Sequence, residues 1–199
     1  MLQRKSVKEE LLELLDKIMD EEIFQPFVLV GGTALALQIG HRKSIDIDLF
    51  GQCTIDEAHF LEKLSRFGNT VTLKKTQNIL VCSVNGIKVD FVNYSYPFIE
   101  EVQILNDLRI ASPKDIAAMK LNAIAGRGSK KDFIDIYYLL KMFTIEEMIE
   151  FYLKKYQDGS EFMVRKSLTY FEDADKESTP YMFDEIDWND MKQQILKSM

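Results

Sequence analysis

The spacing of hydrophobic residues changes along the chain. In the first part, short apolar runs and alternating positions predict strands mixed with helices, whereas later apolar residues recur at helical intervals. The predicted strands are 27–30, 45–50, 71–74, 79–84 and 87–93, with one more within 102–110. The predicted helices are 7–22, 34–39, 54–67, 113–125, 130–143, 144–158, 161–171 and 187–199. The pattern therefore predicts an α+β core over residues 1–110, followed by a helical region over residues 111–199.

Local signals indicate where several of these elements begin or turn. Asn85-Gly86 lies between two predicted strands and is a strong signal for a two-residue hairpin. Ser112-Pro113 is typical of a helix start, and the polar, acidic stretch 172–180 predicts a loop. Asp187 is expected to cap the last helix. Three pairs have capping-box spacing: Ser6 with Glu9, Thr54 with Glu57, and Thr144 with Glu147.

The predicted strand 45–50 carries two acids in an otherwise apolar run. Side chains alternate across a strand, so we expect Asp46 and Asp48 on one face. The residues expected on the other face are Ile45, Ile47 and Leu49. Neighbouring carboxylates repel each other, and a divalent cation such as Mg²⁺, which prefers oxygen ligands, supplies the missing positive charge. The alternative is a pair of solvated acids on an exposed strand face.

A glycine turn, Gly31-Gly32-Thr33, precedes this acidic strand. Glycine lets the backbone approach a ligand closely, and the N–H groups at a helix start attract anions. The turn is therefore a candidate triphosphate site, to which Thr33 and Ser44 can add hydroxyl donors and Arg42 a positive charge. The alternative is an ordinary tight turn between a strand and a helix.

One lysine and three further acids are also candidates. Asp90, in the strand 87–93, can complete a metal site or accept the proton of an attacking hydroxyl, or it can be a polar position on a hairpin edge. Lys120, in an apolar helical run, can contact phosphate or can be a snorkelling surface lysine. Asp132 and Asp135, three residues apart on a helix, can anchor Lys120 or Arg127 or hold a nucleotide, or can form a solvated face.

Composition and charge limit the classes of protein that this chain can belong to. Of its 199 residues, 46% are hydrophobic and 29% are charged, as in soluble globular proteins. No apolar run approaches the roughly 20 residues that span a bilayer, and Cys53 and Cys82 have no disulfide or zinc spacing. These features favour a cytoplasmic protein that does not act on membranes. The net charge of −7 argues against indiscriminate nucleic-acid binding.

Taken together, these residues resemble the nucleotidyltransferase superfamily with the DNA polymerase β-like fold, and within it the AbiEii/AbiGii toxin family. The resemblance implies a core with a mixed sheet and flanking helices. It rests on blocks that follow the family's order, at residues 30–36, 41–50, 87–91, 112–120 and 127–135.

The resemblance also implies roles for the candidate residues. Two Mg²⁺ ions would be held by Asp46, Asp48 and Asp90, with Lys120 and Asp132 as further catalytic residues. The NTP would be bound by Gly31, Gly32, Thr33, Arg42, Ser44, Lys120 and Asp135.

We therefore expect a Mg²⁺-dependent nucleotidyltransferase that moves an NMP group from an NTP to an acceptor hydroxyl and releases pyrophosphate. The resemblance implies a toxin of a toxin–antitoxin or abortive-infection pair with a cognate antitoxin. The expected acceptor is RNA, with the tRNA 3′ end favoured, or protein. Two alternatives remain open: a nucleotide-binding partner protein without turnover, and a small-molecule nucleotidyltransferase of the aminoglycoside type.

Overall fold

The computed structural model describes residues 2–199, which form two compact units. The first unit ends at Ser95 and also includes Val102–Ala111, whereas the second comprises Tyr96–Glu101 and Ser112–Met199. Strands occur in the first unit and helices in both, so the predicted α+β class is confirmed. None of the helices within residues 2–199 combines the length and apolar character that a bilayer-spanning segment requires.

A mixed sheet of seven strands forms the centre of the first unit. The strands are β1 (Val28–Val30), β2 (Asp46–Gly51), β3 (Thr70–Lys75), β4 (Ile79–Val84), β5 (Ile87–Asn93), β6 (Gln103–Leu105) and β7 (Leu108–Ile110). Their order across the sheet is β3-β4-β5-β2-β1-β7-β6. The β2–β5 and β1–β7 pairs are parallel, and the other neighbouring strands are antiparallel. The two strands with the predicted acids, β2 and β5, are therefore direct neighbours near the middle of the sheet.

The helices of the first unit pack against strands of this sheet, and an aromatic cluster lies in the core between them. The helices are α1 (Glu9–Asp20), α2 (Gly31–Ile39) and α3 (Glu57–Ser65), with short 3-10 helices at Arg4–Ser6 and Glu22–Phe24. Four buried rings lie with centroids between 5.0 and 5.8 Å apart: Phe24, Phe27, Phe60 and Phe91. Burial of such large apolar side chains is the dominant favourable term in folding, so this cluster is a main part of the core of the unit.

The second unit is helical. Its helices are α4 (Pro113–Gly126), α5 (Lys130–Leu139), α6 (Ile145–Lys155), α7 (Glu161–Leu168), α8 (Glu172–Asp175) and α9 (Trp188–Lys197). Helix α4 packs against α5, α6 and α7, and α5 also packs against α8 and α9. Three predicted caps are confirmed, because the side chains of Ser112, Thr144 and Asp187 each accept a bond from a backbone N–H of the following turn.

The other two predicted capping boxes are wrong. Ser6 lies in the 3-10 helix, where its carbonyl accepts a 2.9 Å bond from the Ser44 N–H, and α1 begins only after Lys8. Helix α3 is capped by Asp56 instead of Thr54. For Ser6 a contact distant in sequence accompanies the later helix start, whereas for α3 a neighbouring residue, Asp56, accepts the bond from the His59 N–H.

Two segments contain more regular structure than predicted. The segment 102–110 forms a hairpin of β6 and β7 instead of one strand, with Asn106 and Asp107 at φ values of 51° and 66° in the turn. Asn and Asp tolerate this left-handed conformation because of their short polar side chains. The predicted loop 172–180 begins with the short helix α8. Glycine-based turn signals do not detect either feature.

A buried ion pair holds the segment Tyr96–Glu101 within the helical unit. Lys155 Nζ lies 2.7 Å from Asp115 Oδ1 and 2.8 Å from the Pro97 carbonyl oxygen, and both charged side chains are fully buried. Asp115 also accepts a 2.8 Å bond from the Ile99 N–H. Burial lowers the pKa of Lys155, and the Asp115 carboxylate opposes that shift. Each charge of the pair therefore compensates the other, because either charge alone would be unfavourable at this buried position.

We expect Lys155→Met to lower the free energy of unfolding of the helical unit by about 3 kcal/mol, because it leaves the Asp115 charge buried without its partner. Trp188 is the only tryptophan and lies in this unit, so its fluorescence during chemical denaturation measures the change. Lys154→Met, at the exposed neighbouring position, is the matched control. Equal stability of the two variants would contradict the role given to the buried pair.

Candidate active site

The acids of β2 and β5 lie side by side on one face of the sheet. The parallel register pairs Asp46 with Lys88 and Asp48 with Asp90. Residues two apart along a strand and their cross-strand partners share a face, so three carboxylates and one ammonium group occupy the same patch. The opposite face of β2 is apolar, with Ile47 and Leu49 fully buried. The predicted face for the acids is thus confirmed.

Ile45 departs from that prediction. It precedes β2, which begins at Asp46, and 66% of its surface is exposed, so it does not share the buried face of Ile47 and Leu49. The alternation rule holds only where the backbone is extended and paired, and here pairing begins one residue later.

The glycine turn lies directly beside the Asp48 carboxylate. Gly31 is the first residue of α2 and has a φ of +69°, a left-handed conformation that costs side-chain-bearing residues about 1–2 kcal/mol. A Cβ at this position would overlap the Asp48 carboxylate. Glycine is therefore required here for two reasons, the backbone conformation and the close approach of the acid.

Two hydroxyls that were expected to face a phosphate instead connect α2 to the acidic strand. Thr33 is fully buried, and its hydroxyl is bonded to the Ser44 hydroxyl at 2.8 Å and donates to the Asp46 carbonyl oxygen. Ser44 is buried as well. The Thr33 hydroxyl therefore fixes the start of β2 against α2 and is not presented to a ligand.

Arg42 brings its positive charge to the same turn. The side chain is buried, and its Nη1 donates a 3.0 Å bond to the Lys43 carbonyl oxygen. A Cβ on Gly32 would overlap Arg42 Nη2, so the second glycine makes room for the guanidinium. The glycine pair thus lets a carboxylate approach on one side and a cation on the other.

Asp90 has the most unusual surroundings of the three acids. Its Oδ2 lies 2.6 Å from Lys88 Nζ, whereas its Oδ1 is buried and has no hydrogen-bond partner among residues 2–199. A buried carboxylate oxygen without a partner costs about 1–3 kcal/mol or more, and a catalytic role or a bound ion is among the explanations for such an atom.

The donor set fits a divalent metal ion by its chemistry. Asp48 and Asp90 are register partners with oxygen ligands on one face, and Asp90 Oδ1 has no other partner within the described residues. Within residues 2–199, no group of three His, Cys, Asp or Glu side chains is arranged closely enough to hold a metal ion as it stands. The Lys88 ammonium occupies the other Asp90 oxygen, so the expected three-carboxylate site remains a prediction.

In the helical unit, Lys120, Asp132 and Asp135 form a buried cluster. Lys120 Nζ lies 2.9 Å from Asp132 Oδ1 and 2.6 Å from Asp135 Oδ2, and the lysine side chain is only 6% exposed. Both aspartates are fully buried, so the alternatives of a snorkelling lysine and a solvated acidic face are wrong. Asp132 and Asp135 anchor Lys120, as one of the interpretations from the sequence had it.

Arg127 and Ser129 extend this cluster towards solvent. The Arg127 guanidinium makes two bonds to Asp132, of 2.8 and 3.1 Å, and its side chain is 62% exposed, while the Ser129 hydroxyl donates to Asp132 at 2.6 Å. Burial alone would raise the pKa of Asp132, but Lys120 and the bonds from Arg127 and Ser129 hold that pKa well below its ordinary value of 3.8.

With this geometry in view, comparisons with known proteins identify the family. Residues 13–198 match the family described as nucleotidyl transferase AbiEii toxin, type IV TA system. The chain belongs to the AbiEii nucleotidyltransferase toxin family. A further relative, the uncharacterized protein aq_aa25 of Aquifex aeolicus, is 37% identical over 179 residues, which cover 87% of each chain. The chain is therefore a nucleotidyltransferase, and the family predicted from the sequence motifs is confirmed.

Solved structures with the same fold include JHP933 from Helicobacter pylori, with a TM-score of 0.61 and 19% sequence identity. The superposition covers 96% of this chain and 87% of the JHP933 chain. MenT4, the nucleotidyltransferase toxin Rv2826c of Mycobacterium tuberculosis, has a TM-score of 0.61 and 14% sequence identity. The superposition covers 96% of this chain and 84% of the MenT4 chain. The predicted nucleotidyltransferase fold is thus confirmed.

Sequence reasoning missed one residue of this site, Lys88. Lys88 and Asp90 are two residues apart on a strand, so alternation places both on one face. The rule that predicts a common face for Asp46 and Asp48 therefore also identifies Lys88. The ion pair of Lys88 and Asp90 follows from that spacing, although its geometry does not.

We expect Gly31→Ala to lower the free energy of unfolding by about 1–2 kcal/mol, because alanine is strained at a positive φ and its Cβ would displace Asp48. Chemical denaturation followed by circular dichroism measures the change. Gly126→Ala is the control, since a Cβ there meets nothing within 4 Å and the backbone is helical. A loss in the control as large as in Gly31→Ala would contradict this account.

The lowered pKa of Asp132 predicts how stability responds to acid. A carboxyl group with a depressed pKa in the folded state contributes stability above its ordinary value of 3.8, and this contribution is lost as the pH falls towards the folded value. Between about pH 4 and pH 2, we therefore expect Asp132→Asn to lose less stability than the wild type. Trp188 fluorescence during denaturation at each pH measures the slopes, with the exposed Asp173→Asn as control. Parallel slopes for the wild type and Asp132→Asn would exclude this role.

Proposed function

We propose that this protein is a Mg²⁺-dependent nucleotidyltransferase toxin that transfers an NMP group from an NTP to an acceptor hydroxyl and releases pyrophosphate. The observation that carries the proposal is the pairing of Asp48 with Asp90 beside the Gly31 turn, with Asp90 Oδ1 buried and lacking a partner among residues 2–199. Membership of the AbiEii family supports the reaction class and the toxin role.

Asp46, Asp48 and Asp90 would hold Mg²⁺ in this proposal. When bound, Mg²⁺ would stabilise the negative charge that develops on the phosphates. The backbone N–H groups at the start of a helix such as α2 favour the binding of an anion. Arg42, packed against Gly32, adds a positive charge at the same turn. We propose that the triphosphate binds to the backbone N–H groups of this turn and to Arg42, and that Ser44 lies at the edge of this binding site. The Thr33 hydroxyl does not contact the triphosphate but holds β2 against α2.

Asp90 would also act as the general base. The acceptor oxygen attacks the α-phosphorus, the bond from that phosphorus to the oxygen shared with the β-phosphate breaks, and pyrophosphate leaves. The acceptor proton passes to the Asp90 carboxylate. The buried Oδ1 supports this role, because an oxygen without a hydrogen-bond donor is a ready proton acceptor.

In the helical unit we propose that Lys120 contacts the nucleotide and that Asp132 and Asp135 fix its ammonium position. The bonds of 2.9 and 2.6 Å from these aspartates support a positioned lysine. Arg127 is bonded to Asp132 and well exposed, so it is a further candidate for a phosphate contact.

The acceptor and the partner are also matters of proposal. We propose RNA as the acceptor, with the tRNA 3′ end first and a protein hydroxyl second, and we place the reaction in the cytoplasm, where NTPs and tRNA are present. The family's type IV toxin–antitoxin description supports a cognate antitoxin encoded alongside this chain.

We expect Asp48→Asn and Asp90→Asn each to reduce transfer by about 100-fold or more, since each removes a charge that the reaction requires. The measurement is incorporation of label from each α-labelled NTP, with pyrophosphate release, in Mg²⁺ with total tRNA, with total protein and with neither. Full activity in either variant would overturn the mechanism.

Asp107→Asn provides the matched control, because it makes the same change in the same unit at an exposed turn where Asn also tolerates a positive φ. It should retain wild-type transfer. If the wild type releases no pyrophosphate with any NTP and acceptor, the protein would be a nucleotide-binding partner without turnover. Label in the protein fraction alone would exclude RNA as the acceptor.

A further inference from the structure

Lys88 is a cation within a patch of carboxylates. Its Cα is the register partner of Asp46, and its Nζ lies 2.6 Å from Asp90 Oδ2. The cross-strand neighbour of Asp90 is Asp48, so the ammonium is the charge that offsets the repulsion between these acids. Lys88 and a divalent cation would therefore use the same carboxylate.

The Lys88 side chain is able to leave Asp90 without disturbing the sheet. It is 42% exposed, in contrast to 19% for Asp90, and its long unbranched stem is flexible. Lys88 and Asp46 also line a groove of about 600 Å³ between α1 and the β4–β5 turn. The groove gives the ammonium a solvated position away from Asp90 that requires only side-chain rotation.

We propose that Lys88 is a resident counterion of Asp90 that competes with the divalent cation for this carboxylate. The inference rests on the proposed function, and it makes Lys88 a positioning residue. While no cation is bound, the ammonium holds Asp90 in place beside Asp48. A divalent cation bound at Asp90 Oδ1 would lie close to the ammonium at Oδ2, and the repulsion between the two positive charges displaces the ammonium into the groove. Lys88 thereby sets the concentration of cation that the site requires.

This competition makes a prediction that a purely structural ion pair does not. Removing Lys88 should tighten cation binding, because the carboxylate no longer has to give up a partner, and should destabilise the protein while no cation is bound. Arginine at the same position should weaken cation binding, because its planar guanidinium can donate two hydrogen bonds to one carboxylate and so binds it more tightly than an ammonium group does.

The test is a titration of the full-length protein with Mn²⁺, followed by the electron paramagnetic resonance signal of free Mn²⁺. We expect Lys88→Met to bind Mn²⁺ about fivefold more tightly than the wild type, and Lys88→Arg to bind it more weakly. Lys75→Met is the matched control. It removes the 2.7 Å ion pair between Lys75 of β3 and Glu57 of α3, whose side chains have exposure similar to that of the Lys88 pair, and should bind like the wild type.

A second readout is thermal unfolding. After chelation of metals, Lys88→Met should unfold at a lower temperature than the wild type, and Mn²⁺ should restore more of its stability than it adds to the wild type. This comparison requires no enzymatic activity.

Asp90→Asn separates this inference from the proposed function. If the wild type binds Mn²⁺ and Asp90→Asn weakens binding, but Lys88→Met and Lys88→Arg both bind like the wild type, the competition is refuted while the metal site stands. If Asp90→Asn binds as the wild type does, or the wild type does not bind Mn²⁺, both are refuted. An equal gain in Lys75→Met and Lys88→Met would reduce the effect to overall charge and also refute the competition.

Discussion

The repulsion between carboxylates in register on two neighbouring parallel strands is the constraint on which the first unit depends. The β2–β5 register places Asp48 beside Asp90, and like charges directly opposite each other destabilise strand pairing unless a cation compensates them. Around this pair the chain supplies Lys88 as a cation and Gly31 as a space for the Asp48 carboxylate. Asp90 Oδ1 is left without a hydrogen-bond partner among residues 2–199, and this is where chemistry can enter.

In the helical unit, by contrast, the buried acids Asp132 and Asp115 have hydrogen-bond and ion-pair partners. Asp132 is bonded to Lys120, Arg127 and Ser129, and Asp115 is paired with Lys155 in full burial. A buried carboxylate with several donors is stable as an anion, which is why the pKa of Asp132 is depressed. The contrast in pairing distinguishes acids that hold a structure together from acids that await a ligand.

Family membership and fold establish different things about this protein. The AbiEii match and the 37% identical Aquifex aeolicus relative establish the nucleotidyltransferase family, whereas the solved structures are too distant in sequence to show more than the fold. Folds host many activities, and the functional argument must therefore come from residues such as Asp48, Asp90 and Arg42. Asp48 and Asp90 supply oxygen ligands of the kind that divalent cations prefer, and Arg42 supplies a positive charge that suits an anion.

Local sequence determined the elements whose signals are local. The Asn85-Gly86 hairpin, the Thr144 capping box and the Ser112-Pro113 helix start require only neighbouring residues, and strand alternation alone placed Asp46 and Asp48 on one face. Tertiary structure decided what depends on partners distant in the chain. It put Ser6 in a 3-10 helix against Ser44, buried the Thr33 hydroxyl, enclosed Lys120 between two aspartates, and placed Asp90 beside Asp48. The physical reason is that burial and ion pairing depend on which groups meet in space, and spacing along the chain specifies this only within one turn or one strand.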